Sequence, residues 1–189
     1  MARTPARAEP HGALDELPGE LLMWVLIISE LLVFGAGLAA FLGVRLTDPS
    51  GFAEAQDHLH RTGAALNTLV LVTSGFLAAR ALGLRQVGRR ALARWHLGAA
   101  MLLGVVFLWI KGAEYADKAA QGIGIETHPF FMFYYLLTGF HAAHVIAGIV
   151  VLGLVAIWDD AHNIEVGAAF WHMVDLVWVL LFPVIYLLA

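Results

Sequence analysis

An all-α integral membrane bundle of five transmembrane helices is the fold class that this sequence predicts, on three observations. Of its 189 residues, 60% are hydrophobic and only 14% charged, against roughly 45–50% apolar and about 25% charged in ordinary soluble domains. The apolar excess is gathered into five long runs and is not spread at core spacing. Each run is continuously apolar, without the period-two alternation of a membrane strand. The 11 Lys+Arg and 15 Asp+Glu are too few to cover a soluble domain of this size. Composition therefore excludes a soluble enzyme, a nucleic-acid-binding module and a disordered tail. A net charge of −4 gives no attraction for polyanions, so no nucleic-acid partner is expected. The absence of cysteine excludes disulfides, thiolate metal sites and c-type haem attachment.

A helix needs about 20 mostly apolar residues to cross a hydrocarbon core roughly 30 Å thick. Residues 1–20 carry Arg3, Arg7, Glu9, Asp15, Glu16 and Glu20 and no apolar h-region. They read as a polar tail without a cleavable signal. The first span, 21–44, holds one charge, Glu30. The second, 63–84, contains Arg80 near its end, and the third, 94–111, begins at Arg94 and ends at Lys111. Both of those end residues are expected to snorkel outward. The fourth span, 129–158, has no formal charge, and the fifth, 166–189, has only Asp175. Residues 21–189 thus form a single five-helix membrane domain. The connections are short, with turn chemistry at Thr47-Asp48-Pro49-Ser50-Gly51 and Thr127-His128-Pro129.

Lys/Arg counting orients the bundle. One side carries seven, five of them (Arg80, Arg85, Arg89, Arg90, Arg94) in the second connection, and the other carries four. The arginine-rich side is expected to be cytoplasmic, with the amino terminus, and the carboxyl terminus periplasmic.

An ionisable group in hydrocarbon costs ~2.5–3.5 kcal/mol on insertion scales, so intramembrane carboxylates and histidines are functional candidates. Glu30 and Asp175 each lie nine residues into their spans, near the midplane. His141 and His144 share a face of the fourth span at i,i+3, and His172 and Asp175 repeat the spacing on the fifth. Three roles fit these five residues. They can form a satisfied packing network across helices, since buried polar groups need partners. They can serve a proton-linked or lipid-contacting role, with Glu30 neutral in its apolar turn. Metal or haem ligation is the third. Bis-histidine haem needs facing histidines at matched depth, and His141 does not match His96 or His172, which lie toward the cytoplasmic ends. Asp175 and His172 are expected to pair with the fourth span. Two rows of small residues, Gly35/Ala39/Gly43 and Gly139/Ala143/Ala147, are expected to allow close helix approach. Trp24, Trp95, Trp109, Trp158 and Trp171 read as interfacial anchors, as do Phe130, Phe131, Phe133, Tyr134 and Tyr135. Trp178 is placed between helices.

Together these residues resemble cytochrome c oxidase subunit III, the all-helical third subunit of haem–copper oxidases. Ser29-Glu30 is similar to that family's intramembrane Ser-Glu pair. Leu66-Asn67-Thr68 with Thr73-Ser74 is similar to its Asn-Thr…Ser-Ser helix, and Glu114-Tyr115 to its Glu-Tyr pair. Thr138-Gly139-Phe140-His141-Ala142-Ala143-His144-Val145 resembles its Thr-Gly-x-His-x-x-His-Val signature. His162, Glu165 and the run from Trp171 through His172 and Asp175 to Trp178 resemble its closing block. The five-span length, the opening Pro18–Trp24, Thr73–Arg80 and Lys111-Gly112-Ala113-Glu114-Tyr115 look most like a branch found with nitric oxide reductases.

The resemblance implies an accessory, non-catalytic subunit in a bacterial inner membrane, serving aerobic electron transport or denitrification. It implies a chain that binds no cofactor, with haem and metal in a partner catalytic subunit of an oxidase or nitric oxide reductase. Family roles are support of assembly, proton uptake and durable turnover, and contact with membrane phospholipid. The family's lipid cleft uses two spans that this chain lacks, so its contacts do not transfer. Glu30 inherits carbodiimide reactivity. Two other classes stand against this reading. One is a stand-alone b-type cytochrome or quinol-reactive enzyme using His96, His141, His144 or His172. The other is a small proton-coupled transporter, for which inverted repeats or broken helices are not seen.

Overall fold

The computed structural model describes residues 21–188; the polar tail 1–20 and Ala189 lie outside it. Six α-helices run in order: α1 Leu21–Arg45, α2 Pro49–Asp57, α3 Arg61–Gln86, α4 Arg90–Ala120, α5 Pro129–Trp158 and α6 Ala161–Phe182, followed by one π turn, Pro183–Leu187. Five helices are long and apolar enough to cross a membrane, and no strand occurs among the described residues. The spans expected from the sequence are α1, α3, α4, α5 and α6.

α3, α4, α5 and α6 form a four-helix core, with α6 the most enclosed, and α1 lies on its flank against α5 and α6. Without a hydrophobic force between helices in lipid, packing and interhelical hydrogen bonds hold such a bundle. Helix ends follow local chemistry. Gly88 and Gly122 take φ of +78° and +73° just after α3 and α4, where a left-handed residue stops a helix. Asp159 takes a φ of 48° after α5, a conformation unusual for a residue with a Cβ. Arg85 secures it, donating from Nε to Oδ1 at 2.9 Å and from a terminal nitrogen to the Asp159 carbonyl at 2.7 Å. Asp160 then caps α6, accepting from the His162 backbone N–H. Pro183 has no N–H to give the preceding turn, and there the backbone widens into the π turn.

α4 extends well beyond the expected 94–111. Its first and last turns carry Arg90, Arg94, Asp117 and Lys118 and are helical throughout. The helix α2, unforeseen in the connection 45–62, is too polar to register as a span. Pro49 sits in its first turn, and the Asp48 carboxylate accepts from Gly51 N–H at 3.0 Å. Its inner face carries Phe52, packed edge-on to Phe41 and Phe130, and Gln56, whose Nε2 donates to the Ile185 carbonyl at 2.8 Å. α2 thereby straps one end of the bundle to the terminal π turn.

His128 joins the two connections at this end. Its Nδ1 accepts from Phe130 N–H, capping α5, and its Nε2 donates to Asp48 Oδ2 at 3.2 Å. The Gly51 N–H, then His128, hold the Asp48 carboxyl below its ordinary pKa of 3.8. A lowered pKa stabilises the fold in full above the unfolded value, and the contribution disappears as pH falls through the folded one. Hydrogen–deuterium exchange in 49–57 is therefore expected to show a loss of protection that begins only below pH 3.8. Asp48→Asn, which keeps a capping oxygen, should lack that step.

Candidate functional site: the polar groups between the helices

α6 presents Trp171 and Trp178, two turns apart, to the core. Trp171 lies fully buried in a cradle of two glycines: a Cβ on Gly148 of α5 would stand 2.5 Å from its ring, and one on Gly104 of α4 2.7 Å. Its indole N–H donates to Ser74 Oγ at 3.0 Å, and Ser74 donates to the Ala100 carbonyl at 2.7 Å. Trp178 N–H donates to Thr68 Oγ1 at 2.9 Å, and Asn67 Nδ2 to the Phe107 carbonyl at 3.2 Å. The Asn-Thr…Ser positions of α3 are thus the hydrogen-bonding partners of the Trp positions of α6 and of α4 backbone. Trp171 is corrected from interfacial anchor to core residue. Phe130, Phe131, Phe133 and Tyr134 are also buried, whereas Trp95, Trp109 and Trp158 are exposed as expected.

Close helix approach uses other glycines than the two expected rows. A Cβ at Gly35 or Gly43 would meet nothing within 4 Å, and one at Gly139 would make only an ordinary contact with Tyr115. Ala39, Ala143 and Ala147 are exposed. Both rows face away from the bundle interior. The reason is geometric, since an all-round apolar helix offers two glycine-bearing faces and only one meets a neighbour.

His141 is fully buried, stacked on Trp178 at 5.2 Å, with Phe107 and Phe34 edge-on at 5.5 and 6.4 Å. Neither ring nitrogen has a hydrogen-bond partner among the described residues. One turn on, His144 donates from Nδ1 to the Phe140 carbonyl at 2.9 Å and brings Nε2 to 3.1 Å from Glu30 Oε2. That separation is ion-pair range, although the angle falls outside hydrogen bonding. The expectation of a Glu30 held in wholly apolar surroundings is corrected, because α5 supplies a basic partner that α1 alone does not reveal. Ser29, on the outer side, donates to the Leu26 carbonyl.

Asp175 and His172 do not pair with the fourth span, which is α5. They face α3, where a Cβ on Gly75 would collide with the Asp175 carboxylate and lie 3.4 Å from His172 Nδ1. The two side chains are 3.8 Å apart, and Asp175 Oδ1 is buried without a hydrogen-bond partner among the described residues. Glycine at 75 is what admits the carboxylate to this seam. Glu165 lies at the mouth of a groove of about 280 Å³ between α1 and α6, with Trp24, Ile27 and His172. His162 sits in the first turn of α6, away from the bundle centre.

Lys111 was expected to snorkel outward, and the structure reverses that. Its side chain is only 2% exposed. Nζ donates to Glu114 Oε2 at 3.0 Å, to Tyr134 OH at 3.2 Å, and to Tyr186 OH. Tyr186 OH in turn donates to Glu114 Oε1 at 3.0 Å. The rings of Tyr134, Tyr115, Tyr186 and Trp178 surround the ammonium at 4.4–5.6 Å, a cation–π arrangement. Tyr115 OH bonds Thr138 at 2.6 Å. Snorkelling needs water within reach of the stem, and α5 and the π turn close over Lys111 instead. Lys111, Tyr134 and Tyr186 are the residues that sequence reasoning missed. The readable signal was a lysine three residues before the motif glutamate, on one helix face.

The histidines within the spans lie in separate surroundings. His141 is enclosed by aromatic rings, His144 faces Glu30, His172 faces the α3 seam, and His96 bonds its own helix at the Leu92 carbonyl. Among the described residues no three His, Asp or Glu side chains converge as metal ligands.

Polar groups thus meet between helices at several levels: the Glu30–His144 ion-pair contact for α1–α5, the hydrogen bonds Thr68–Trp178 and Ser74–Trp171 for α3–α6, and Lys111–Tyr134–Tyr186 for α4, α5 and the π turn. The chain is 30% identical over 176 residues to a cytochrome c oxidase subunit 3 of Thermostichus vulcanus, covering 87% of this chain and 84% of that protein. It is 27% identical over 198 residues to the corresponding subunit of a Synechocystis strain, covering 98% and 82%. It is also 30% identical over 186 residues to a haem–copper oxidase subunit I+III of Aeropyrum pernix, covering 87% of this chain and 22% of that longer protein. The family model described as cytochrome c oxidase subunit III matches residues 19–189, and the chain belongs to that family of accessory subunits of haem–copper oxidases.

Proposed function

We propose that this chain is a non-catalytic subunit that packs against a haem–copper catalytic subunit, which holds the haem and metal. The observation that carries the proposal is the use made of the motif residues. Glu30, His144, Thr68, Ser74, Trp171 and Trp178 meet side chains of other helices and so hold the bundle together. The Aeropyrum relative, whose name joins subunits I and III in one chain, supports subunit I as the partner. We assign the chain to a bacterial inner membrane and, on the positive-inside rule, its arginine end to the cytoplasm, with Lys111 toward the periplasm.

Within that role we assign the chain to the branch associated with nitric oxide reductases and denitrification. Supporting it are the resemblance at Thr73–Arg80 and at Lys111–Tyr115, and the structural use made of Lys111, which is bonded to Glu114 of the same motif. The test is affinity purification of the full-length chain from its native membranes, followed by assay of what co-purifies. A catalytic subunit that reduces nitric oxide is expected. A partner that reduces oxygen alone removes the branch assignment and leaves the accessory role, and recovery without any haem–copper subunit removes both.

A further inference from the structure

The α3–α4 hairpin carries a feature that the contacts between helices do not use. Five arginines, Arg80, Arg85, Arg89, Arg90 and Arg94, lie within 15 residues at this end. Asp159 takes Arg85 fully and is approached by Arg90 and Arg94 only at 3.9 and 3.7 Å. Arg80 and Arg89 make no ion pair among the described residues. Among the described residues this end therefore keeps an excess of arginine over its carboxylates Asp159, Asp160 and Glu165.

Two open troughs run down from these arginines on the outer sides of the hairpin. One, of about 440 Å³, is lined by Ala91, Arg94, Trp95 and Gly98 of α4. The other, of about 320 Å³, is lined by Ala79, Arg80, Gly83, Leu84 and Val87 of α3. Both have one arginine at the rim over a floor of alanine and glycine, with an apolar wall beside it. A Cβ at Gly83 or Gly98 would meet nothing within 4 Å, so neither glycine serves helix packing in this chain. Arg94 stays half exposed, and Trp95, at 78% exposure, is placed as indoles are at headgroup level.

We propose that each trough seats one anionic phospholipid, its phosphate on Arg80 or Arg94 and an acyl chain along the glycine-floored groove. Arginine presents a planar fork suited to a phosphodiester, and the small residues let a chain lie close against the helix. The surplus of arginine over carboxylate selects an anionic headgroup above a zwitterionic one. This site lies on α3 and α4, away from α1, and stands whether or not the partner is a nitric oxide reductase.

The test uses the full-length chain purified in mild detergent, with lipid adducts counted by native mass spectrometry against added phosphatidylglycerol or phosphatidylcholine of matched acyl chains. Phosphatidylglycerol is expected to be retained at two sites and phosphatidylcholine at neither. Arg94→Gln and Arg80→Gln should each weaken one site about fivefold, the effect of one basic side chain near a phosphate. Gly98→Leu and Gly83→Leu fill the troughs without touching another helix, and each should remove one adduct while helix content is unchanged. Equal retention of the two lipids overturns the proposal. So does undiminished phosphatidylglycerol binding in the Arg80→Gln/Arg94→Gln variant, or its displacement by millimolar glycerol phosphate. Loss of a co-purifying protein from the two leucine variants, with lipid retained, reassigns the troughs to a protein contact and equally overturns it.

Discussion

Replacing Lys111 with methionine is expected to destabilise the bundle by ~3–5 kcal/mol, the usual penalty for removing one member of a buried ion pair. Glu114 would remain enclosed by α4, α5 and the π turn with its countercharge gone, keeping only Tyr186 as donor. The carboxylate is then the problem, and a second substitution should relieve it. Lys111→Met/Glu114→Gln removes both charges and leaves an amide for the tyrosines, so it is expected to recover most of the loss. Unfolding of the purified chain in mixed micelles measures both. A Lys111→Met variant as stable as the parent would mean that Lys111 reaches water as a snorkelling residue does. Proteolysis should locate the damage at the end that α2 straps, because Tyr186 belongs to the same π turn as Ile185, the acceptor of Gln56.

The second large effect is expected at Gly148. Alanine there puts a methyl group 2.5 Å from the Trp171 ring, which is confined on its other side by Gly104 and tied to Ser74. Neither helix can yield without displacing the indole, and overpacking of this kind costs ~1–3 kcal/mol. Gly35→Ala is the control, since nothing lies within 4 Å of the new atom and alanine is the better helix former by up to ~1 kcal/mol. Thermal denaturation of the isolated chain should show a clear loss for the first and none for the second. Equal tolerance at both positions would mean that Trp171 is not seated between α4 and α5.

The contrast between those glycines shows what a membrane sequence discloses and what it withholds. The five spans were legible because some 20 consecutive apolar residues have little other use. Which face of each helix turns inward was not, because α5 is apolar all round and has no polar side to mark the exterior. Spacing along the chain therefore favours the rows at Gly35 and Gly139 over Gly148 and Gly104, and it puts Phe130, Phe131, Phe133 and Tyr134 at the interface although they are core. Depth is readable along one helix; facing requires the neighbours. The partners of the motif positions come from other helices, as His144 does for Glu30 and Gly75 for Asp175. The polar helix α2 has its start written in Asp48-Pro49, a cap followed by a first-turn proline, but a search for apolar runs passes over it.

The optical spectrum of the isolated full-length chain, set beside that of its complex, tests the central claim most directly. The chain alone should show no Soret band, while the complex shows haem in the amount the catalytic subunit holds. A stoichiometric Soret band in the isolated chain that is lost on His141→Ala would contradict the accessory role and make this bundle a cytochrome in its own right.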